Sequence, residues 1–235
     1  LNNGLPAIAA AYRKVVQRLR SPVSLIPLQI NQCLILANDS LHLFNASPYF
    51  VKQVHDLNSS GMAPFSEVME CKNGDVLLAG TGGIIWFDGP AKDIEQTAQR
   101  SVNMPEEIQE YQLTTPLENA NEVFTFIGKK EGKPRIAVRL EGNKWSWSRI
   151  PPKIKLQTYW HDAGGFGWGT SFNGLYTIDI ENDSVELSNA LKAGLIFDVI
   201  SDGAGHFWIA TSEGLSRQSP SYWEPAHPQL GEATV

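Results

Sequence analysis

Two His-carboxylate pairs stand about 40 residues apart in this chain, His161 with Asp162 and His206 with Asp202. If a fold brought them to one surface, imidazoles and carboxylates at that density could bind a divalent metal or act as base and acid. The plainer alternative is that the aspartates close turns while the imidazoles face water. Trp160 and Trp168 lie in Gly-rich sequence that could leave an indole accessible to a sugar or another flat apolar face. Ligand contact is therefore expected at Trp160, His161, Trp168 and His206. Trp145, Trp147 and Trp208 fit packing between sheets equally well. The chain has no P-loop, no dinucleotide Gly fingerprint, no His-Glu-x-x-His, no Cys pair and no Gly-x-Ser-x-Gly. No catalytic residue, metal-ligand set or cofactor is assigned.

These residues need a scaffold, and composition narrows it. Seven Trp, ten Phe and six Tyr accompany twenty Gly and fourteen Pro, the mixture of strand-formers and turn-formers that suggests many short strands. The 235 residues suffice to bury a core without staples. The net charge of −6 argues against a nucleic-acid surface, since phosphate binding requires clustered Lys and Arg. A small-molecule or glycan ligand, or a protein partner, suits it better. Cys33 and Cys71 read as ordinary strand residues, able to form one bridge if the protein is exported. No apolar run is long enough to span a bilayer, and no signal peptide begins the chain, although the first residue is Leu1 and not Met.

A repeat organises the rest. Residues 197–215 read FDVISDGAGHFWIATSEGL and residues 157–175 read QTYWHDAGGFGWGTSFNGL. Setting Gly205 on Gly164 also sets Thr211 on Thr170, and a Gly-Leu pair follows in both, Gly214-Leu215 and Gly174-Leu175, for a repeat of about 41 residues. Earlier copies lie at 65–88 and 31–45, and the slot at 121–150 alternates and turns but lacks the Gly-Thr element. Each copy supplies two or three short alternating strands joined by Gly turns. One such sheet cannot bury both faces, whereas sheets packed radially can, which predicts an all-β β-propeller of about five blades, either a fragment of a larger propeller or closed as one.

Three segments depart from the repeat. Residues 1–24 are expected to hold the end of a blade, at Leu1 to Leu5, and a short amphipathic helix over 6–20, with Ile8, Tyr12, Val15, Val16 and Leu19 on one side. The repeats then occupy 25–220, with an insertion at 89–120 that is polar and Pro-punctuated and reads as a long excursion. Residues 221–235 read as a linker or tail.

The string from Asp202 through Gly205, Trp208 and Thr211 to Gly214-Leu215 resembles the two-component regulator propeller repeat, whose pattern is approximately Asp-x-x-Gly-x-x-Trp-aliphatic-Gly-Thr, then a turn and Gly-Leu. The copy at 161–175 matches at Gly164, Gly169, Thr170 and Gly174, with His161 in the place of the Asp and Trp168 displaced by one. The resemblance implies a periplasmic or extracellular sensor propeller of a bacterial signalling protein. Such a module recognises a ligand without chemistry of its own and acts in a context that favours homodimers. The motif residues themselves, Gly164, Thr170, Gly174, Asp202, Gly205, Trp208, Thr211 and Gly214, build the scaffold. Similarity to streptogramin lyases, which place loop His and acidic residues on a metal, supplies the enzymatic alternative. A protein-interaction scaffold is a third reading.

Overall fold

The computed structural model describes residues 22–225 except 30, 47, 120–121, 163–164, 189–193, 202–206 and 220–221. The expected blade end and helix within 1–20, motif residues Gly164, Asp202 and Gly205, and the candidate ligand contact His206 lie outside the described residues. The described chain is all-β. Its strands form five four-stranded antiparallel sheets, each connected in simple sequence order. The first sheet holds β1 (Pro22–Gln29), β2 (Gln32–Ala37), β3 (Ser40–Ala46) and β4 (Tyr49–Asp56). The second holds β5 (Glu67–Glu70), β6 (Val76–Gly80), β7 (Gly83–Phe87) and β8 (Gln99–Asn103). The third is built from β9 (Gln112–Glu118), β10 (Val123–Lys130), β11 (Lys133–Glu141) and β12 (Lys144–Arg149). The fourth comprises β13 (Thr158–His161), β14 (Gly167–Ser171), β15 (Gly174–Asp179) and β16 (Ser184–Leu187). The fifth comprises β17 (Ile196–Ser201), β18 (Phe207–Thr211), β19 (Gly214–Ser219) and β20 (Tyr222–Pro225). Four-stranded meanders repeated in this way are the blades of a β-propeller.

Tight hairpins set the registers. Ala37 pairs with Ser40 across Asn38 and Asp39, both at positive φ (50° and 52°), a two-residue turn that Asn and Asp tolerate because their short polar side chains reach the local backbone. Glu131 and Gly132 do the same between Lys130 and Lys133.

Residues 89–120, read above as an excursion, instead supply two blade strands, β8 and β9, with 3-10 turns at Ala91–Gln96 and Glu106–Ile108. β8 exposes four of its five residues, so it carries no apolar alternation to read, and Pro116 inside β9 masks a strand signal. At the other end, Tyr222–Pro225 leaves the expected tail and completes the fifth sheet, while β1 begins at Pro22.

The chain divides into two compact units, one ending at Thr114 and the other beginning at Thr115. In the first unit the first and second sheets enclose a core that includes Leu34, Leu36, Leu41, Val76, Leu78, Ile85 and Phe87. Cys33 and Cys71 are not joined by a disulfide, and burial pushes the Cys33 thiol up to about 11. In the second unit the fourth sheet has two buried faces. Tyr159 and Ile178 pack with Ile127, Ala137, Ile150, Ile154 and Leu156 on one side. Trp160 and Leu175 pack with Ile196, Val199, Phe207 and Ile209 on the other.

Candidate functional site

Strand pairing fixes how the two best repeats correspond. His161 pairs with Gly167 and Ser171 with Gly174 in the fourth sheet, as Ser201 pairs with Phe207 and Thr211 with Gly214 in the fifth. The structural repeat is therefore one residue shorter than the gap-free alignment of Thr170 on Thr211. Asp162, and not His161, takes the motif Asp position, and Trp168 falls directly on the Trp position. The chemistry agrees: Trp168 Nε1 donates to Asp162 Oδ2 at 2.8 Å, and Asp162 Oδ1 accepts the Phe166 amide at 3.0 Å. A comparable pair recurs in the second sheet, where Trp86 Nε1 donates to Asp75 Oδ2 at 2.9 Å. At the hairpin, the Thr211 hydroxyl donates to Gly214 O at 2.9 Å and accepts from the Glu213 amide at 3.1 Å. Thr170 is buried and bonds the Thr158 hydroxyl, and Gly174 lies beneath Leu187 and Tyr176.

The expected ligand contacts separate. Trp160 is fully buried and stacks on Phe207 at 5.3 Å, so it has no surface to offer. Trp168 is half-buried against the same apolar cluster with its indole N–H committed to Asp162. Trp208 lies under the Arg217 guanidinium, 5.7 Å from the ring centroid. His161 is the exception. It is buried at the end of β13, on the face turned to the third sheet, and it lines a cleft.

Both ring nitrogens of His161 are engaged. Nδ1 lies 3.0 Å from Gly165 O, which can only accept, so Nδ1 carries the proton and Nε2 accepts from the Tyr159 hydroxyl. Burial, with help from the Arg139 positive charge, lowers the imidazole pKa to about 4. Burial likewise pushes the Tyr159 phenol far up. At neutral pH the pair is an uncharged hydrogen-bonded unit. Among the described residues, no three His, Cys, Asp or Glu side chains are grouped as metal ligands.

The cleft has a volume of about 630 Å³ and opens between the third and fourth sheets of the second unit. Arg139, Glu141, Lys144 and Ser146 come from the β11–β12 hairpin, with His161, Gly165 and Phe166 from the β13–β14 turn and Asp179, Glu181 and Glu186 from the β15–β16 hairpin. Arg139 is half-buried and its Nη2 donates to Glu141 at 2.7 Å, whereas Lys144, Asp179, Glu181 and Glu186 are exposed. The Phe166 ring stands 67% exposed at the lip.

Two devices hold the walls together. Thr125 Oγ1 donates to Tyr159 O at 2.6 Å, and Asp183 Oδ1 accepts from Ser148 Oγ (2.9 Å) and from the Arg149 amide (2.7 Å). Within the fourth sheet, Gly167 sits opposite Ile178 on the next strand, and a Cβ there would lie 2.2 Å from Ile178 O, which no side chain allows. Sequence reasoning missed Tyr159, Arg139, Phe166 and Asp183. The signal available was the neighbouring Tyr-Trp-His run, whose alternation sends Tyr159 and His161 to one face and Trp160 to the other.

No protein-family model and no curated protein sequence matches the chain. Solved structures share its fold. The extracellular domain of the proposed one-component system BT4673 from B. thetaiotaomicron matches with TM-score 0.54 at 11% identity, over 84% of this chain and 27% of that one. The extracellular domain of the proposed hybrid two-component system BT3049 from the same organism matches with TM-score 0.51 at 13% identity, over 88% and 28%. Virginiamycin B lyase from Staphylococcus aureus, a catalytically inactive H270A form with quinupristin, matches with TM-score 0.54 at 12% identity, over 87% and 69%. The chain thus spans little more than a quarter of the two B. thetaiotaomicron chains. At these identities the likeness establishes the β-propeller fold.

Proposed function

We propose that this chain is a recognition module without chemistry of its own, part of the extracellular input region of a bacterial signalling protein, and that the cleft between its third and fourth sheets receives the ligand. The observation that carries this reading is the construction of the cleft. A concave polar surface is fixed by cross-sheet hydrogen bonds, with a half-buried guanidinium and an accessible aromatic ring, and its one histidine is locked into the scaffold. The fold shared with extracellular domains of signalling proteins supports the location. That context favours a homodimeric assembly.

The competing reading is a propeller lyase, supported by the fold shared with virginiamycin B lyase. Such chemistry needs a base with a free lone pair in the site, and His161 spends both nitrogens on Tyr159 and Gly165. A thermal-shift screen of sugars, amino acids, peptides and divalent metals separates the two, since a ligand that binds the folded state raises the melting temperature by mass action. Binding of an organic ligand without turnover supports recognition. Consumption of quinupristin by the chain would replace it by the lyase.

A further inference from the structure

The cleft lies at one end of the fourth sheet, and a surface of a different kind lies at the other. β13 ends at the cleft with His161, so the β14–β15 hairpin, the last residues of β16 and the first of β17 stand at the far end, together with the β18–β19 hairpin. Of the ten large apolar side chains exposed among the described residues, five gather there: Phe172, Leu187, Leu195, Phe197 and Leu215, exposed by 40–62%. Single exposed apolar residues are ordinary, whereas a contiguous group marks a contact surface. Backbone hydrogen bonds establish the contiguity. The Ile196 amide donates to Phe172 O at 2.9 Å, which ties Leu195 and Phe197 to the hairpin of the fourth sheet. The Leu195 amide donates to Ser212 Oγ at 2.9 Å and its carbonyl accepts from the Ser212 amide at 2.9 Å, which sets it on the turn before Leu215. Leu187 lies over Gly174 on the other side, where an added Cβ would sit 3.1 Å from its Cδ1.

Five such residues at about half exposure present on the order of 500 Å² of apolar surface, toward the upper end of the largest patch a monomer carries. A stable interface buries about 800 Å² per partner, and in homodimers about two-thirds of it is apolar, which comes to the same ~500 Å². The polar residues set among the five, Asn173, Ser188, Ser212 and Glu213, include no cation, so this end offers nothing to a polyanion or an acidic segment. The surface that matches it is its own copy. Uncharged apolar side chains need only their like, and one patch paired about a two-fold axis closes without leaving a second face exposed. We infer that this end of the second unit is an isologous contact between two copies of the chain, with Phe172, Leu195 and Phe197 at its centre and Leu187 and Leu215 flanking them. The contact does not depend on what the cleft binds.

The test is sedimentation velocity of the whole chain across micromolar concentrations, where monomer is expected to give way to a dimer and to nothing larger. Each copy carries a net charge of −6, so added salt should strengthen this apolar contact by screening the repulsion between copies, whereas it would weaken an ionic one. Phe172→Asp and Phe172→Lys should each raise the dissociation constant at least about tenfold. An equimolar mixture of the two should recover association, which only folded chains that meet at this residue can do. Tyr49→Asp, at a comparably exposed position (46%) in the first unit, should leave the dimer unchanged. A chain that stays monomeric would overturn the assignment, as would a dimer that both Phe172 variants leave intact or that salt dissociates. Species that grow beyond the dimer would overturn the closed contact in favour of a head-to-tail one. The thermal-shift screen reads the cleft and sedimentation reads this end, so each reading can fail alone.

Discussion

The two faces of the fourth sheet differ in what they do with the same backbone. The face turned to the fifth sheet is dry and aromatic: Trp160 on Phe207, with Leu175, Ile196, Val199 and Ile209 closing round them. The face turned to the third sheet is apolar through Tyr159, Ile178 and Leu156, then opens at the end of β13 into a charged cleft. Alternation along β13 puts a tryptophan on one face and a tyrosine and a histidine on the other. The repeat motif builds the first kind of contact. The cleft opens where the strand preceding the motif carries a Tyr-His pair, which no scaffold role of the repeat requires.

The sharpest way to break the comparison is to remove a residue from each face. Trp160→Ala empties a fully buried site between the fourth and fifth sheets and should cost about 3–5 kcal/mol, lowering the melting temperature by about 10 °C. A loss under about 1 kcal/mol would mean the indole is not a packing element and would reopen it as a ligand contact.

On the opposite face His161 contributes through pH. Its folded pKa of about 4 lies below the ordinary 6.5, so between those values the folded protein binds fewer protons than the unfolded chain. Its stabilising contribution is complete above pH 6.5 and fades as the pH falls toward 4, by up to ~3 kcal/mol. In urea titrations the stability difference between wild type and His161→Gln should therefore shrink over that range. A difference that stays constant with pH would show that His161 titrates normally and is not sealed against Tyr159.

Much of the architecture was legible because it is periodic. Gly-Thr then Gly-Leu marks the β14–β15 hairpin and Ala-Thr then Gly-Leu the β18–β19 hairpin, and alternation marks the inner strands, so blade number follows from counting. What escaped was what periodicity does not carry. β8 is exposed and polar, and β9 contains a proline, so both looked like loop. The gap-free alignment slipped by one residue because Thr170 matches Thr211 in type, whereas the hairpin hydrogen bonds pair Ser171, the neighbour of Thr170, with Gly174 as they pair Thr211 with Gly214. That slip assigned the motif aspartate to His161. The cleft was illegible for a different reason: Arg139, Glu141, Phe166 and Asp179 come from three hairpins of two sheets, and no spacing along the chain brings them together.

Asp183 offers the finest test of how the cleft face is held. It sits at φ 48° in the turn between β15 and β16 and reaches across to Ser148 and the Arg149 amide on the outer strand of the third sheet. The other face has a stacked ring pair at its centre, whereas this edge relies on one carboxylate. Asp183→Ala removes both hydrogen bonds and places a β-carbon without a polar side chain in the left-handed region, for an expected loss of about 1–2 kcal/mol in urea denaturation. Asp183→Asn keeps an acceptor oxygen and tolerates the turn, so it should retain most of that stability. If the carboxylate serves as the cleft's outer latch, Ala at this position should also weaken any ligand of the cleft while Asn does not. Equal stability of the two variants would show that the third and fourth sheets are held by the Thr125 bond and the apolar contacts beneath it, with the hairpin riding on them.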